Sequence, residues 1–145
     1  MFHINVSRLI NKPIEYVFMA LSDHANYSAF KGIDGSKVLE PGAHEQNGIG
    51  ALREIVAGKS VLHERIVVFE RPNKIGYLIE QSTPLPYQHE LGMINLHTQS
   101  DKTLVEWESK GHINIPVLGR FYFDKQIQKY GARAFGSILK QIDMR

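Results

Sequence analysis

The chain has 145 residues, with seventeen Lys and Arg against fifteen Asp and Glu, and it contains no cysteine. This length predicts a single domain spanning residues 1–145, and the interspersed charges, which sum to only +2, argue against nucleic acid as a partner. The lack of cysteine excludes disulfides and thiolate metal sites and favours a cytoplasmic location, and no stretch has the pattern of a signal peptide or a membrane span.

The first fifty residues predict one strand, two short helices and a loop-rich segment. Residues 2–6 alternate between apolar and polar side chains, which is typical of a strand with one buried face. Residues 14–21 carry apolar side chains at helical spacing, and residues 23–30 are expected to add a further short helix. Residues 32–50 contain five glycines and predict a loop-rich segment with one weak strand over 37–40.

Residues 51–111 alternate strand patterns with turn signals, which predicts three antiparallel hairpins. The turns are Gly58-Lys59, the four residues 70–73, and Ser100-Asp101. Because turn length sets the register, the side chains that share the inner face can be paired in advance. The predicted pairs are Arg53 with Glu64, Ile55 with Leu62, Ile66 with Tyr77, Val68 with Ile75, Glu64 with Ile79, Leu96 with Val105, Ile94 with Trp107, Gly92 with Ser109, and Glu90 with Gly111.

A long amphipathic helix is predicted from Pro116 or Gly119 to Ile142, about seven turns. One face carries basic residues, namely Lys125, Lys129, Arg133 and Lys140. The opposite stripe is apolar and consists of Phe123, Ile127, Tyr130, Gly131, Ala134, Ile138 and Ile142. Since no helix separates the central strands, the pattern predicts an α+β fold in which the sheet buries its inner face on this helix.

Several short segments resemble a known superfamily. They are Gly50-Ala51-Leu52-Arg53, Gly58, Glu64-Arg65-Ile66, Tyr77, Pro84-Leu85-Pro86-Tyr87, and residues 103–107. The chain resembles the START-related SRPBCC superfamily, which includes birch-pollen-allergen-like proteins and lipid-transfer domains, and these segments look like its polyketide cyclase/dehydrase branch. The resemblance implies a helix-grip fold over the whole chain, with a curved antiparallel sheet of six to seven strands wrapped around the C-terminal helix.

Arg53 and Glu64 are the sharpest candidate site, because both charges are predicted to face inward from opposite positions of one hairpin. Burying an ion pair costs several kcal/mol per ion before attraction repays it, so the pair indicates orientation or ligand contact more than stability. Tyr77 is expected beside Glu64. The alternative is that the pair only fixes the register and never meets a ligand.

Three further inward positions have two readings each. Glu90, beside Gly92 and Ser109, is suited to acid or base work if it is buried, or is an open strand end. Trp107 is a core residue or a ligand-stacking surface. Gly131, in the apolar stripe, either widens a cavity or allows close packing against the first helix.

The seven histidines predict no metal site. No two of them have the i, i+4 spacing of helical ligands, and surface positions are expected for all, with His63, His89 and His97 on the outer face. No glycine-rich phosphate loop or nucleophile elbow occurs, so no cofactor is predicted.

The leading hypothesis is a non-catalytic protein that binds a small apolar or amphipathic molecule between sheet and helix. Residues 32–35 and 82–88 are candidate gates. Alternatives are a cyclase- or aromatase-like enzyme using Glu64, Tyr77 or Glu90, and a co-chaperone-like interaction module without an open pocket. The basic helix face could also dock transiently on anionic membranes, without insertion. The predicted ligand contacts are Arg53, Ile55, Glu64, Ile66, Tyr77, Glu90, Ile94, Trp107, Ile127, Gly131, Ala134 and Ile138.

Overall fold

Seven strands form one antiparallel sheet in the order β1-β7-β6-β5-β4-β3-β2, and a long helix closes its inner face. The computed structural model describes residues 1–145. The predicted α+β helix-grip fold is confirmed. The elements are β1 (Phe2–Ile10), α1 (Ile14–Ser22), a 3₁₀ helix (His24–Ala29), β2 (Gly35–Glu40), β3 (Leu52–Ala57), β4 (Ser60–Glu70), β5 (Lys74–Thr83), β6 (Tyr87–Gln99), β7 (Lys102–Ile113), a π-helical segment (Gly119–Phe123) and α2 (Asp124–Asp143).

The hairpin registers agree with the turn lengths at most positions. Arg53 lies opposite Glu64, and Ile94 lies opposite Trp107. The predicted partner of Val68 is wrong, because an irregularity between Ile66 and Val68 shifts the register and places Val68 opposite Gly76. An extra residue in one strand moves the pairing by one position, and the hydrophobic pattern alone does not reveal it.

A second irregularity, between His89 and Leu91, overturns the prediction for Glu90. His89, rather than Glu90, lies opposite Gly111. Because side chains alternate between the two faces of a strand, this shift leaves Glu90 exposed and brings His89 to the inner face. The predicted inward carboxylate and the predicted outward histidine are therefore both wrong.

The core lies between α1, the inner face of the sheet and the second half of α2. Ile138, Leu139 and Ile142 anchor α2, and all three are buried. The predicted apolar stripe includes Tyr130, but this residue is 54% exposed. At about 100° per residue it lies about 100° from Gly131 around the helix, whereas Phe135 lies only about 40° away and packs inward.

Gly131 allows α2 to approach β1 closely. A Cβ atom at this position would overlap Cδ1 of Ile4, so Gly131 serves close packing on β1 and not on the first helix. The basic residues on the other side of α2 are exposed, and docking on anionic membranes stays a prediction. None of the helices is long and apolar enough to cross a membrane.

Candidate ligand-binding site

A pocket of about 160 Å³ lies between the inner face of the sheet and α2. Fifteen of its nineteen lining residues are hydrophobic. A ligand in this pocket would therefore exchange contacts with water mainly for contacts with apolar side chains. The lining residues are Phe2, Ile4, Tyr27, Ile33, Arg53, Ile55, Ala57, Leu62, Glu64, Tyr77, Ile79, Tyr87, Trp107, Ser109, Ile127, Gly131, Ala134, Phe135 and Ile138.

The pocket has a buried end and a partly open end. At the buried end lie Tyr27, Arg53 and Tyr77, each at most 3% exposed. At the other end Leu62 is half-buried and Ala134 of α2 is exposed. A small molecule could therefore enter beside α2 and reach polar groups at the buried end.

Arg53 and Glu64 form a buried ion pair on neighbouring strands. Arg53 Nε and Nη2 each lie 2.8 Å from Glu64 Oε1, and the two residues are 1% and 6% exposed. The guanidinium also lies between two aromatic rings, 4.8 Å from the Tyr27 centroid and 5.3 Å from that of Tyr77. Burial disfavours the Arg53 charge, but Glu64, Tyr27 and Tyr77 together outweigh this effect and raise the pKa of the guanidinium.

His24, expected at the surface, is fully buried beside Arg53. Its Nδ1 lies 3.0 Å from Arg53 Nη1, and its Nε2 lies 2.8 Å from the carbonyl oxygen of Asn47. Since arginine only donates and a carbonyl only accepts, the imidazole is neutral with its proton on Nε2. Burial, and then the Arg53 charge, lower the pKa of His24 to about 3. His24 thereby links Arg53 to the glycine-rich segment that follows β2.

Tyr77 is fixed by Trp107 and Gly92. The Trp107 indole donates a hydrogen bond of 2.9 Å to the Tyr77 hydroxyl. A Cβ atom on Gly92 would come within 2.7 Å of the Tyr77 ring, so only glycine leaves room for it. Burial, and then the nearby Glu64 charge, raise the pKa of Tyr77, which keeps the phenol protonated.

His89 and Ser109 form a pair that looks catalytic but has the wrong tautomer. His89 Nδ1 accepts the backbone N–H of Ile79 at 3.0 Å, so the ring proton lies on Nε2, which donates to Ser109 Oγ at 2.9 Å. Burial lowers the pKa of His89 to about 4, so the ring is neutral. To act as a general base for the Ser109 hydroxyl, His89 would need an unprotonated Nε2, and this arrangement does not provide one.

Four polar groups of the pocket each keep one hydrogen-bonding atom that has no partner within the protein. Glu64 Oε2 accepts no hydrogen bond and keeps accessible surface, because Oε1 takes both bonds from Arg53. The hydroxyl protons of Tyr77, Tyr87 and Ser109 have no protein acceptor. Burial, and then Glu64, raise the pKa of Tyr87 to about 12, so this phenol is also a neutral donor. The site therefore offers one anionic acceptor and three hydroxyl donors.

Nine of the twelve residues predicted as ligand contacts line this pocket. Ile66 and Ile94 are buried in the core but do not line it, and Glu90 lies outside. Contact with a ligand stays a prediction for all nine, namely Arg53, Ile55, Glu64, Tyr77, Trp107, Ile127, Gly131, Ala134 and Ile138.

Sequence reasoning missed other lining residues, and some could have been found. Phe2 and Ile4 follow from the alternation of β1, and Phe135 follows from a stripe centred on Gly131. Phe135 stacks on Trp107 with ring centroids 4.1 Å apart. No local pattern indicates that Tyr27 and His24 reach Arg53, since they lie on a short 3₁₀ helix far away in sequence.

The two candidate gates each contribute to the pocket wall. Ile33 comes from the segment before β2, and Tyr87 begins β6. The second segment is held by Ser82, whose hydroxyl donates to the Leu85 carbonyl at 2.7 Å and accepts the Tyr87 N–H at 3.0 Å. Movement of either segment stays a prediction. No group of three or more His, Asp or Glu side chains is placed to hold a metal ion.

Comparison with known proteins finds similarity at the level of structure. No protein-family model matches the chain, and no curated protein matches it in sequence. A START superfamily protein from Mycobacterium smegmatis has a TM-score of 0.74 at 13% identity, with 98% of this chain and 99% of that chain covered. Ara h 8.0201 has a TM-score of 0.69 at 14% identity, with 99% and 98% covered.

An aromatase/cyclase, Zhui, from a Streptomyces species has a TM-score of 0.73 at 13% identity, with 99% of this chain and 94% of that chain covered. Identities this low establish the fold and leave function open. The chain has the helix-grip fold of START-like and aromatase/cyclase proteins, as its resemblance to the SRPBCC superfamily implied.

Proposed function

We propose that this protein binds a small apolar or amphipathic molecule in the pocket between the sheet and α2. The observation that carries the proposal is the combination of a mostly apolar lining with Glu64 Oε2 left without a partner at the buried end. Glu64 Oε2 keeps accessible surface in the empty pocket, and a ligand that fills the pocket would cover it. Because covered polar atoms are normally hydrogen-bonded, a ligand without a donor for this oxygen would lose about 1–3 kcal/mol. A ligand with one polar group on an apolar body would satisfy both parts of the wall.

Binding is better supported than catalysis because no side chain is placed as a free base. Arg53 holds the Glu64 carboxylate, Glu90 lies on the outer face, and the tautomer of His89 prevents it from taking a proton. Binding is also better supported than a pure interaction module, since such a module would need no pocket of this size.

The test uses native mass spectrometry and thermal shift with a panel of apolar ring compounds, alcohols and fatty acids. A compound that occupies the pocket should remain bound in the gas phase and raise the melting temperature, because it binds only the folded state. The plugging variant is Ala134→Phe, at the open end of the pocket. It should abolish these effects.

Ser137→Phe is the matched control, because Ser137 is an exposed residue on the same helix that does not line the pocket. It should behave like the unchanged protein. If no compound binds, or if Ala134→Phe binds as well as Ser137→Phe, the proposed function is wrong.

A further inference from the structure

The size of the pocket limits its ligand to about one ring. Apolar cavities of about 150 Å³ hold one benzene molecule, and this pocket has a volume of about 160 Å³. A long acyl chain or a fused polycycle would exceed that space. The single ring would pack against Ile55, Ile138 and the stacked pair of Trp107 and Phe135, all of which line the pocket.

The charges at the pocket favour a neutral molecule. Arg53 and Glu64 are the only charged lining residues, and they cancel. The Arg53 guanidinium is already used by Glu64, His24 and the faces of two tyrosine rings. An anionic ligand would meet the Glu64 carboxylate without a free cation, and a cationic ligand would have to compete with Arg53 for it. Either charge would also lose its hydration in an apolar cavity.

The unpaired groups define the polar part of the ligand. Glu64 Oε2 needs a donor, whereas the hydroxyls of Tyr77, Tyr87 and Ser109 need acceptors. A hydroxyl group supplies both, since its proton donates and its oxygen accepts. Hydrogen bonds to an ionised acceptor such as Glu64 are about twice as strong as neutral ones.

We infer, building on the proposed binding function, that the ligand is a small neutral one-ring alcohol or phenol whose hydroxyl donates to Glu64 Oε2 and accepts from a pocket hydroxyl. The carboxylate supplies orientation, and the apolar wall supplies most of the affinity. A plain hydrocarbon of the same shape leaves Glu64 unpaired, and a carboxylate of the same shape is repelled.

The probes that test this are 4-methylphenol, toluene and 4-methylbenzoate, which share one ring and one methyl group. Trp107 is the only tryptophan in the chain, so its indole N–H gives one NMR signal that reports directly on the pocket. We expect 4-methylphenol to bind roughly tenfold more tightly than toluene, although toluene leaves water more readily. At the same concentrations 4-methylbenzoate should not shift the signal.

Three variants each remove one pocket hydroxyl: Tyr77→Phe, Tyr87→Phe and Ser109→Ala. At least one of these variants should weaken the binding of 4-methylphenol several-fold and leave the binding of toluene unchanged. Tyr130→Phe is the control, because Tyr130 is exposed and does not line the pocket. Tyr87→Phe breaks no hydrogen bond within the protein, so the test stands even where another variant unfolds.

The outcomes separate the inference from the proposed function. Toluene binding as tightly as 4-methylphenol, or three hydroxyl variants without effect, would overturn the inference while leaving an apolar binding site in place. Larger or anionic compounds binding in preference to 4-methylphenol would overturn it in the same way. Failure of every compound to bind would overturn the proposed function itself.

Discussion

His24 accepts a hydrogen bond from Arg53 across 3.0 Å, although the two residues are 29 positions apart in the chain. This contact holds a neutral imidazole against a buried guanidinium. It also connects the ion pair of the pocket to Asn47 in the glycine-rich segment. The charge state of His24 is therefore tied to the folded structure, which has a direct consequence for stability.

Stability should fall as the pH drops below about 6.5. The pKa of His24 is about 3 in the folded protein and about 6.5 when unfolded, so the unfolded chain binds more protons between these values. At pH 5 this single group should lower the free energy of unfolding by about 2 kcal/mol relative to pH 8. His89, with a pKa of about 4, acts in the same direction.

Urea denaturation at pH 5 and pH 8 measures this effect. His24→Gln keeps an acceptor for Arg53 but cannot gain a proton, so its stability should depend less on pH. His97→Gln is the control, because His97 is exposed on the outer face next to Glu106. If His24→Gln and the unchanged protein lose the same free energy of unfolding at pH 5, the assignment of a neutral His24 imidazole in the folded protein is wrong.

Arg53→Leu should destabilise the protein by about 3–5 kcal/mol, because it leaves the Glu64 carboxylate buried without a cation. Replacing both partners, Arg53→Leu with Glu64→Leu, should cost less than the single change. Lys37→Leu is a surface control on β2, next to the residue that lies opposite Arg53. Lys37 is 63% exposed and its contact with Glu54 is 3.8 Å long, so this change should cost at most about 1 kcal/mol. Equal losses for the single and double variants, measured in urea, would contradict this account.

Gly92→Ala should displace Tyr77 and cost about 1–3 kcal/mol, because the new methyl group would meet the ring and the carbonyl oxygen of Tyr77 at 2.7 Å. The Trp107 indole NMR signal should move, since its hydrogen bond to Tyr77 is disturbed. Gly35→Ala is a strand control whose methyl group meets Val56 at an ordinary 3.5 Å. An unchanged indole signal in Gly92→Ala would show that Tyr77 tolerates the methyl group.

Two glycines of α2 should respond differently to alanine. Gly136→Ala should stabilise the protein by up to about 1 kcal/mol, because the nearest atom to the new methyl group is 4.0 Å away. Gly131→Ala should stabilise the protein less than Gly136→Ala does, because its methyl group overlaps Ile4 and forces that side chain to move. Thermal unfolding compares the two variants, and equal gains would mean that Ile4 adapts freely.

Periodicity and turn chemistry are local properties, and they determined most of the fold in advance. Alternation located β1, glycine and turn length set the pairing of Arg53 with Glu64, and a 3.6-residue stripe located α2. Both inward charges of the candidate site could therefore be placed from the sequence, since a two-residue turn leaves only one register.

The irregularity beside Glu90 and the approach of His24 to Arg53 were decided by the tertiary structure alone. A one-residue irregularity has no strong signature in the sequence, yet it exchanges the faces of Glu90 and His89. The position of His24 depends on how the 3₁₀ helix packs over β3, which is a long-range contact. Local patterns thus specified the strands, the helix and one ion pair, whereas long-range packing decided which neutral groups surround that pair.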